Sequence, residues 1–190
     1  MRIKSWGAAV VVAAWLLTAG ITAALADSGS GNKEQLLRGR YLVEYGGCSD
    51  CHTPKVMTDK GPVPDPARLL SGHPASTPVP PIPAGVLGPP PTHWSALTNA
   101  DLTAWVGPWG VSFTANLTPD KATGLGHWTV DQFIKTLRTG KHLGTGRALL
   151  PPMPWQDVAV LTDRDLKALF AYLQSVPPIA NAVPQPILPK

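Results

Sequence analysis

Cysteine is nearly absent from this chain: 190 residues contain two, Cys48 and Cys51. A structural zinc site would need a second pair of ligands at short spacing. The histidines beyond residue 52, at 73, 93, 127 and 142, stand singly. A thioredoxin-like redox pair would need a βαβ setting, which the pattern lacks. Charge is scarce too, at 15% of residues, which excludes a disordered charged tail and a nucleic-acid-binding surface. The formal charge of +4 falls to about +2 once Arg2 and Lys4 are assigned to a leader, so it describes no basic patch. No phosphate-binding loop or hydrolytic constellation is present. Proline and glycine are abundant instead, at 22 and 18 residues, concentrated between positions 54 and 110.

The two cysteines lie in Cys48-Ser49-Asp50-Cys51-His52. C-x-x-C-H is the attachment signature of a c-type haem. One helical turn separates the thiols, so both face one side and reach the two vinyl groups on one haem edge. The adjacent His52 then offers an imidazole as proximal iron ligand. The expected cofactor is one covalently bound haem c.

Residues 1–26 read as an export signal peptide or a retained N-terminal anchor. Arg2 and Lys4 precede an apolar run from Gly7 to Leu25, and Ala24-Leu25-Ala26 supplies a cleavage site before Asp27. The mature domain is therefore expected in the periplasm, where covalent haem attachment takes place in bacteria. Residues 27–32 form a Gly/Ser linker, and residues 33–180 the domain, with an insertion over about 54–115. Residues 181–190 form a tail without signal.

The first helix is expected from Lys33 to about Tyr45, with Leu36, Leu37, Tyr41 and Val43 or Leu42 inward. Gly39 inside it permits close approach of another element, and Gly46-Gly47 ends it. From Thr53 to Leu97 the Pro-rich chain is expected to wrap the surface without ladder or helix hydrogen bonds. Within it, the Gly61-Pro62 backbone is the expected acceptor for the second ring nitrogen of His52. The run Pro78 to Pro91 reads as a rigid flap or a plain spacer. Residues 103–106 and 111–114 flank Gly107-Pro108-Trp109-Gly110 as a hairpin, with Trp105 and Trp109 packing beneath the flap or covering a haem edge. Thr129 and Gln132 form a capping box for a helix that Gly140 stops, with Phe133, Ile134 and Leu137 inward and Trp128 stapled onto Phe133. Thr162 and Asp165 start a final helix with Leu166, Leu169, Phe170 and Leu173 inward, ending near Ser175.

A haem held by one histidine leaves a sixth position whose occupant decides between electron transfer and ligand chemistry. Met57 lies too few residues past His52 to reach the opposite face. Met153 stands in Pro151-Pro152-Met153-Pro154-Trp155, where flanking prolines stiffen the loop that presents its thioether. Met153 is the expected second axial ligand. The single histidines are the alternatives, and a gap-filling core role is the plainer use of a methionine.

These features together resemble a class I c-type cytochrome. The resemblance rests on Gly39-Arg40-Tyr41, the Cys48–His52 motif, the Met153 loop and Ala171-Tyr172-Leu173. It implies a mainly α fold of three to four helices around one haem, here with a long Pro-rich insertion and a small hairpin. It also implies that the first and last helices cross with Gly39 against Tyr172. Asn116-Leu117-Thr118-Pro119-Asp120, Thr123-Gly124-Leu125-Gly126-His127-Trp128, Leu137-Arg138-Thr139-Gly140 and the Met153 loop are similar to haem domains of cytochrome subunits of periplasmic alcohol and gluconate dehydrogenases. The implied function is single-electron transfer between a dehydrogenase or quinol-oxidising complex and a downstream oxidase or cytochrome, not catalysis. Two other roles fit parts of the pattern. One is a haem enzyme with a labile sixth ligand, served by Arg147 or His142. The other is a cytochrome subunit docking on a dehydrogenase through residues 74–92.

Overall fold

The computed structural model describes residues 30–82 and 95–189. Helix α1 covers 30–45, and α2, Cys48–His52, follows after a two-residue turn. Strands β1, Lys55–Thr58, and β2, Gly61–Pro64, form a hairpin. A three-stranded antiparallel sheet follows: β3, Leu97–Thr98, then β4, Ala104–Gly107, and β5, Gly110–Phe113. Then come α3, Val130–Thr139, a short α4, Trp155–Ala159, and α5, Asp163–Ser175. The helices carry the core, and the strands are short.

The starts of α3 and α5 follow from local chemistry. The Thr129 hydroxyl accepts the Gln132 backbone N–H at 3.2 Å, and the Gln132 side chain accepts the Thr129 N–H at 2.9 Å. Each satisfies a donor that the first helical turn leaves orphaned. Gly140 ends α3 in the left-handed region, φ 64°, where a side chain would be strained. Thr162 caps α5 with the hydroxyl half of that arrangement, accepting from the Asp165 backbone N–H at 3.1 Å.

The core joins Leu42 and Val43 of α1, Phe133 and Leu137 of α3, and Leu166, Leu169 and Leu173 of α5, with Leu70 and Leu125 from the connections. Each fully buried leucine among these contributes about 1.5–3 kcal/mol through apolar area removed from water. The expected stripe of α1 is out of phase with its packing, because Leu37 and Tyr41 are 57% and 52% exposed. Gly39 explains the shift. A Cβ there would overlap the Ala168 carbonyl and stand 2.8 Å from Tyr172 Cβ, so the helices meet at bare backbone. That contact turns Gly39, Leu42 and Val43 inward and leaves Leu37 and Tyr41 outside. Arg38–Asp165 at 2.8 Å and Arg164–Glu34 at 2.9 Å tie the same two helices at the surface. The Arg38 guanidinium holds the Asp165 carboxyl below its usual range.

The Pro-rich stretch departs from its expected irregularity. Val56 pairs with Val63 and Thr58 with Gly61 in the β1–β2 hairpin. Pro62 and Pro64 occupy alternate positions, so their missing N–H groups fall on one side of β2. A two-stranded ribbon needs only its other side paired. The stretch 69–73 is laced between the Cys–His segment and the chain after β5. Leu70 N–H reaches the Thr53 hydroxyl at 2.9 Å, Gly72 N–H the His52 carbonyl at 2.8 Å, and His73 N–H the Thr114 carbonyl at 3.0 Å. The expected 103–114 hairpin is present, with Gly107 opposite Gly110. Residues 83–91 of the expected flap lie outside the described residues, as do the leader and His93.

The end of the chain is bonded into the domain. Asn181 donates to the Ser71 and His73 carbonyls at 2.7 and 2.8 Å and accepts from Ala75 N–H at 2.9 Å. Ile187 exchanges two backbone hydrogen bonds with Val111, adding a bridge to β5.

Candidate functional site

The site is built on α2. Gly47, at φ 63°, reverses the chain after α1 so that a new helix starts within two residues. Cys48 and Cys51 then lie one turn apart, both half-buried and both free thiols. Burial raises both thiols above their ordinary range, with the Asp50 charge adding to it. Lys55 closes the carboxyl end of this short helix. Its ammonium donates to the carbonyls of Asp50 at 2.7 Å, Thr53 at 2.8 Å and Ser49 at 3.3 Å. Carbonyls at a helix end have no partners within the helix and carry negative partial charge. Burial lowers the Lys55 pKa, with the charges of Asp50 and Cys51 acting against it.

His52 is buried at the end of α2. Its Nδ1 stands 2.8 Å from the Ala115 carbonyl. A carbonyl only accepts, so Nδ1 carries the proton and Nε2 presents its lone pair. Nε2 makes no hydrogen bond to the described residues. Burial lowers the His52 pKa, with the Ala115 bond acting against it, so the ring is neutral at pH 7. This corrects the expectation that Gly61-Pro62 would hold the ring, because Pro62 is exposed in β2. The acceptor comes from 63 residues along the chain, across a fold that spacing alone does not reveal. Gly72 makes the approach possible. At φ 76°, its missing Cβ would stand 2.5 Å from the Thr114 oxygen and 2.7 Å from the Ala115 oxygen.

Met153 is half-buried and packs against the main core, as Cys48 does. Its loop is anchored on two sides. The Trp155 ring fills the space where a Gly140 side chain would stand, and the Ser112 hydroxyl donates to the Pro151 carbonyl at 2.6 Å. Arg138 ties α3 to the end of α4 and the start of α5 through the Ala159 and Leu161 carbonyls and the Asp163 carboxylate. Met57 is 76% exposed on β1. The other histidines are differently employed. His73 is fully buried, with Nδ1 2.9 Å from the Thr103 hydroxyl and Nε2 3.1 Å from the Thr77 carbonyl. His142 packs edge-on against Trp128, whose ring also packs against the core cluster that contains Phe133. His127 is exposed. Trp105 and Trp109 are half-buried, each with its indole N–H bonded inside the hairpin region.

The donor set fits a covalently attached haem. Two half-buried thiols one turn apart precede a neutral buried imidazole whose Nε2 is a free lone-pair donor. The supporting hydrogen bond on the other nitrogen is the arrangement that orients metal-bound histidines. Among the described residues no cluster of three or more His, Cys, Asp or Glu could hold a separate metal ion.

No family model matches the chain. Over 161 residues, 84% of its length, it is 33% identical to the gluconate 2-dehydrogenase cytochrome c subunit of Pantoea cypripedii. Over 161 residues it is 29% identical to the fructose dehydrogenase cytochrome subunit of Gluconobacter japonicus. Over 74 residues, 38% of its length, it is 36% identical to the cytochrome c subunit of the quinone-dependent alcohol dehydrogenase of Gluconobacter oxydans. The matched stretches cover 27%, 25% and 15% of those subunits, so the chain spans about a quarter or less of each. The homologues of this chain are thus cytochrome c subunits of gluconate, fructose and alcohol dehydrogenases, in agreement with the c-type cytochrome its motifs resemble.

Proposed function

We propose that the chain is an exported monohaem c-type cytochrome of class I arrangement that carries single electrons. Cys48 and Cys51 would hold one haem c through thioether bonds, and His52 and Met153 would ligate its iron. The observation that carries this reading is the donor set on α2, with His52 Nδ1 held by the Ala115 carbonyl so that the Nε2 lone pair is left unengaged. Bound there, the haem supplies a one-electron couple. The protein fixes both ligands on braced segments, which limits rearrangement between oxidation states, and Met ligation raises the potential. The donor is a dehydrogenase or quinol-oxidising complex and the acceptor an oxidase or second cytochrome, in the periplasm or at the membrane surface. No helix among the described residues is long and apolar enough to cross a membrane.

The alternative of a haem enzyme gains no support from its two suppliers. Arg147 is exposed and bonds the Ala148 carbonyl, and His142 is packed on Trp128.

Covalent attachment is tested by producing the chain with haem-attachment machinery and separating it under denaturing conditions. Wild type is expected to retain one haem per chain, and the double variant Cys48→Ala/Cys51→Ala to lose it. Haem that washes out of the denatured wild type would contradict the reading.

A further inference from the structure

Three of the four residues from Pro151 to Pro154 have no backbone N–H. The loop that carries Met153 therefore cannot be held by its own backbone donors. Its nearest backbone bonds lie outside the tip, from Leu149 N–H to the Gly140 carbonyl and from Asp157 N–H to the Pro154 carbonyl. Among the described residues, one hydrogen bond reaches the backbone between 150 and 153, and it comes from Ser112 Oγ to the Pro151 carbonyl at 2.6 Å. Ser112 is buried in β5, and the Trp109 indole N–H donates to the same hydroxyl at 3.2 Å. That leaves the Ser112 proton for Pro151. Three residues further along, the Ala115 carbonyl accepts from His52 Nδ1.

We infer that Ser112 is a positioning residue for Met153, and that the stretch 112–115 braces both ligand-bearing segments. The inference rests on the reading of Met153 as axial ligand. It also gives the Pro-rich insertion a role, since its second hairpin supplies the outside support that the proline loop lacks. Without the Ser112 proton the Pro151 carbonyl has no partner, and the Met153 loop leaves its seat more readily.

The test uses the full chain with haem attached, in the oxidised state, titrated with imidazole and followed by its visible spectrum. Imidazole competes with Met153 for the sixth position, so its apparent affinity reports how firmly the loop is seated. Ser112→Ala is expected to tighten imidazole binding about fivefold, the effect of one net hydrogen bond. Ser112→Thr, which retains the hydroxyl, is expected to stay near wild type. Met153→Ala is expected to bind imidazole more tightly than either. A Ser112→Ala variant with wild-type imidazole affinity, beside a Met153→Ala variant that binds more tightly, overturns the role of Ser112 alone. This holds even if the Ser112→Ala melting temperature falls. Wild-type affinity in Met153→Ala overturns the ligand assignment itself, and the inference with it.

Discussion

Gly72→Ala is expected to remove about 3 kcal/mol of folding stability and to lower the melting temperature by roughly 6–12 °C. Two effects add. Gly72 sits at φ 76°, where an L side chain crowds its own backbone. Its new Cβ would also press on the Thr114 and Ala115 carbonyls, which are backbone atoms and cannot rotate away. One of those carbonyls is the acceptor that orients His52, so the damage reaches the site as well as the fold. Gly61→Ala separates the two effects. Gly61 has φ 100° but nothing within 4 Å of a Cβ, so it should show only the backbone cost, about 1–2 kcal/mol. Equal losses in the two variants, by thermal or denaturant unfolding, would mean that close packing against Ala115 is not what Gly72 provides.

Met153→Ala is expected to lower the reduction potential by an amount on the order of 100 mV, because axial ligands set haem potentials over a wide range. A neutral thioether favours the reduced iron. A water or nitrogen ligand in its place favours the oxidised form. Neither Met57, exposed on β1, nor His73, with both ring nitrogens engaged, is available to take over without local unfolding. A potentiometric titration checks this, and a potential unchanged from wild type would remove Met153 from the iron.

The parts of this structure that were legible in the sequence are those set by short-range chemistry. The Thr129–Gln132 box, the Thr162 cap, the Gly140 stop and the 103–114 hairpin each depend on residues within a few positions of one another. Gly39 was also legible as a point of close approach, though its nearest neighbour is the Ala168 backbone rather than the Tyr172 ring. What could not be read depends on distant segments meeting. The Ala115 carbonyl has no side-chain signature. Ser112 reads as an ordinary strand residue, with nothing local to mark Pro151 as its partner. The phase of α1 is not legible, because Leu37 and Tyr41 are apolar, while the glycine contact with α5 dictates which face turns in. The β1–β2 pairing was hidden by its prolines, whose spacing of two is what lets the ladder form. Lys55 leaves a faint signal, a basic residue just beyond a helix end, and Asn181 leaves none, because its partners at 71–75 are more than a hundred residues away.

The central claim is an electron carrier whose haem is held on both sides by the protein. Exposure of the reduced, haem-loaded chain to carbon monoxide tests it most directly. The account predicts that the visible spectrum stays unchanged on mixing, because Met153 occupies the position the gas would need. Immediate formation of the carbon monoxide adduct would contradict it and point to an open, reactive iron instead.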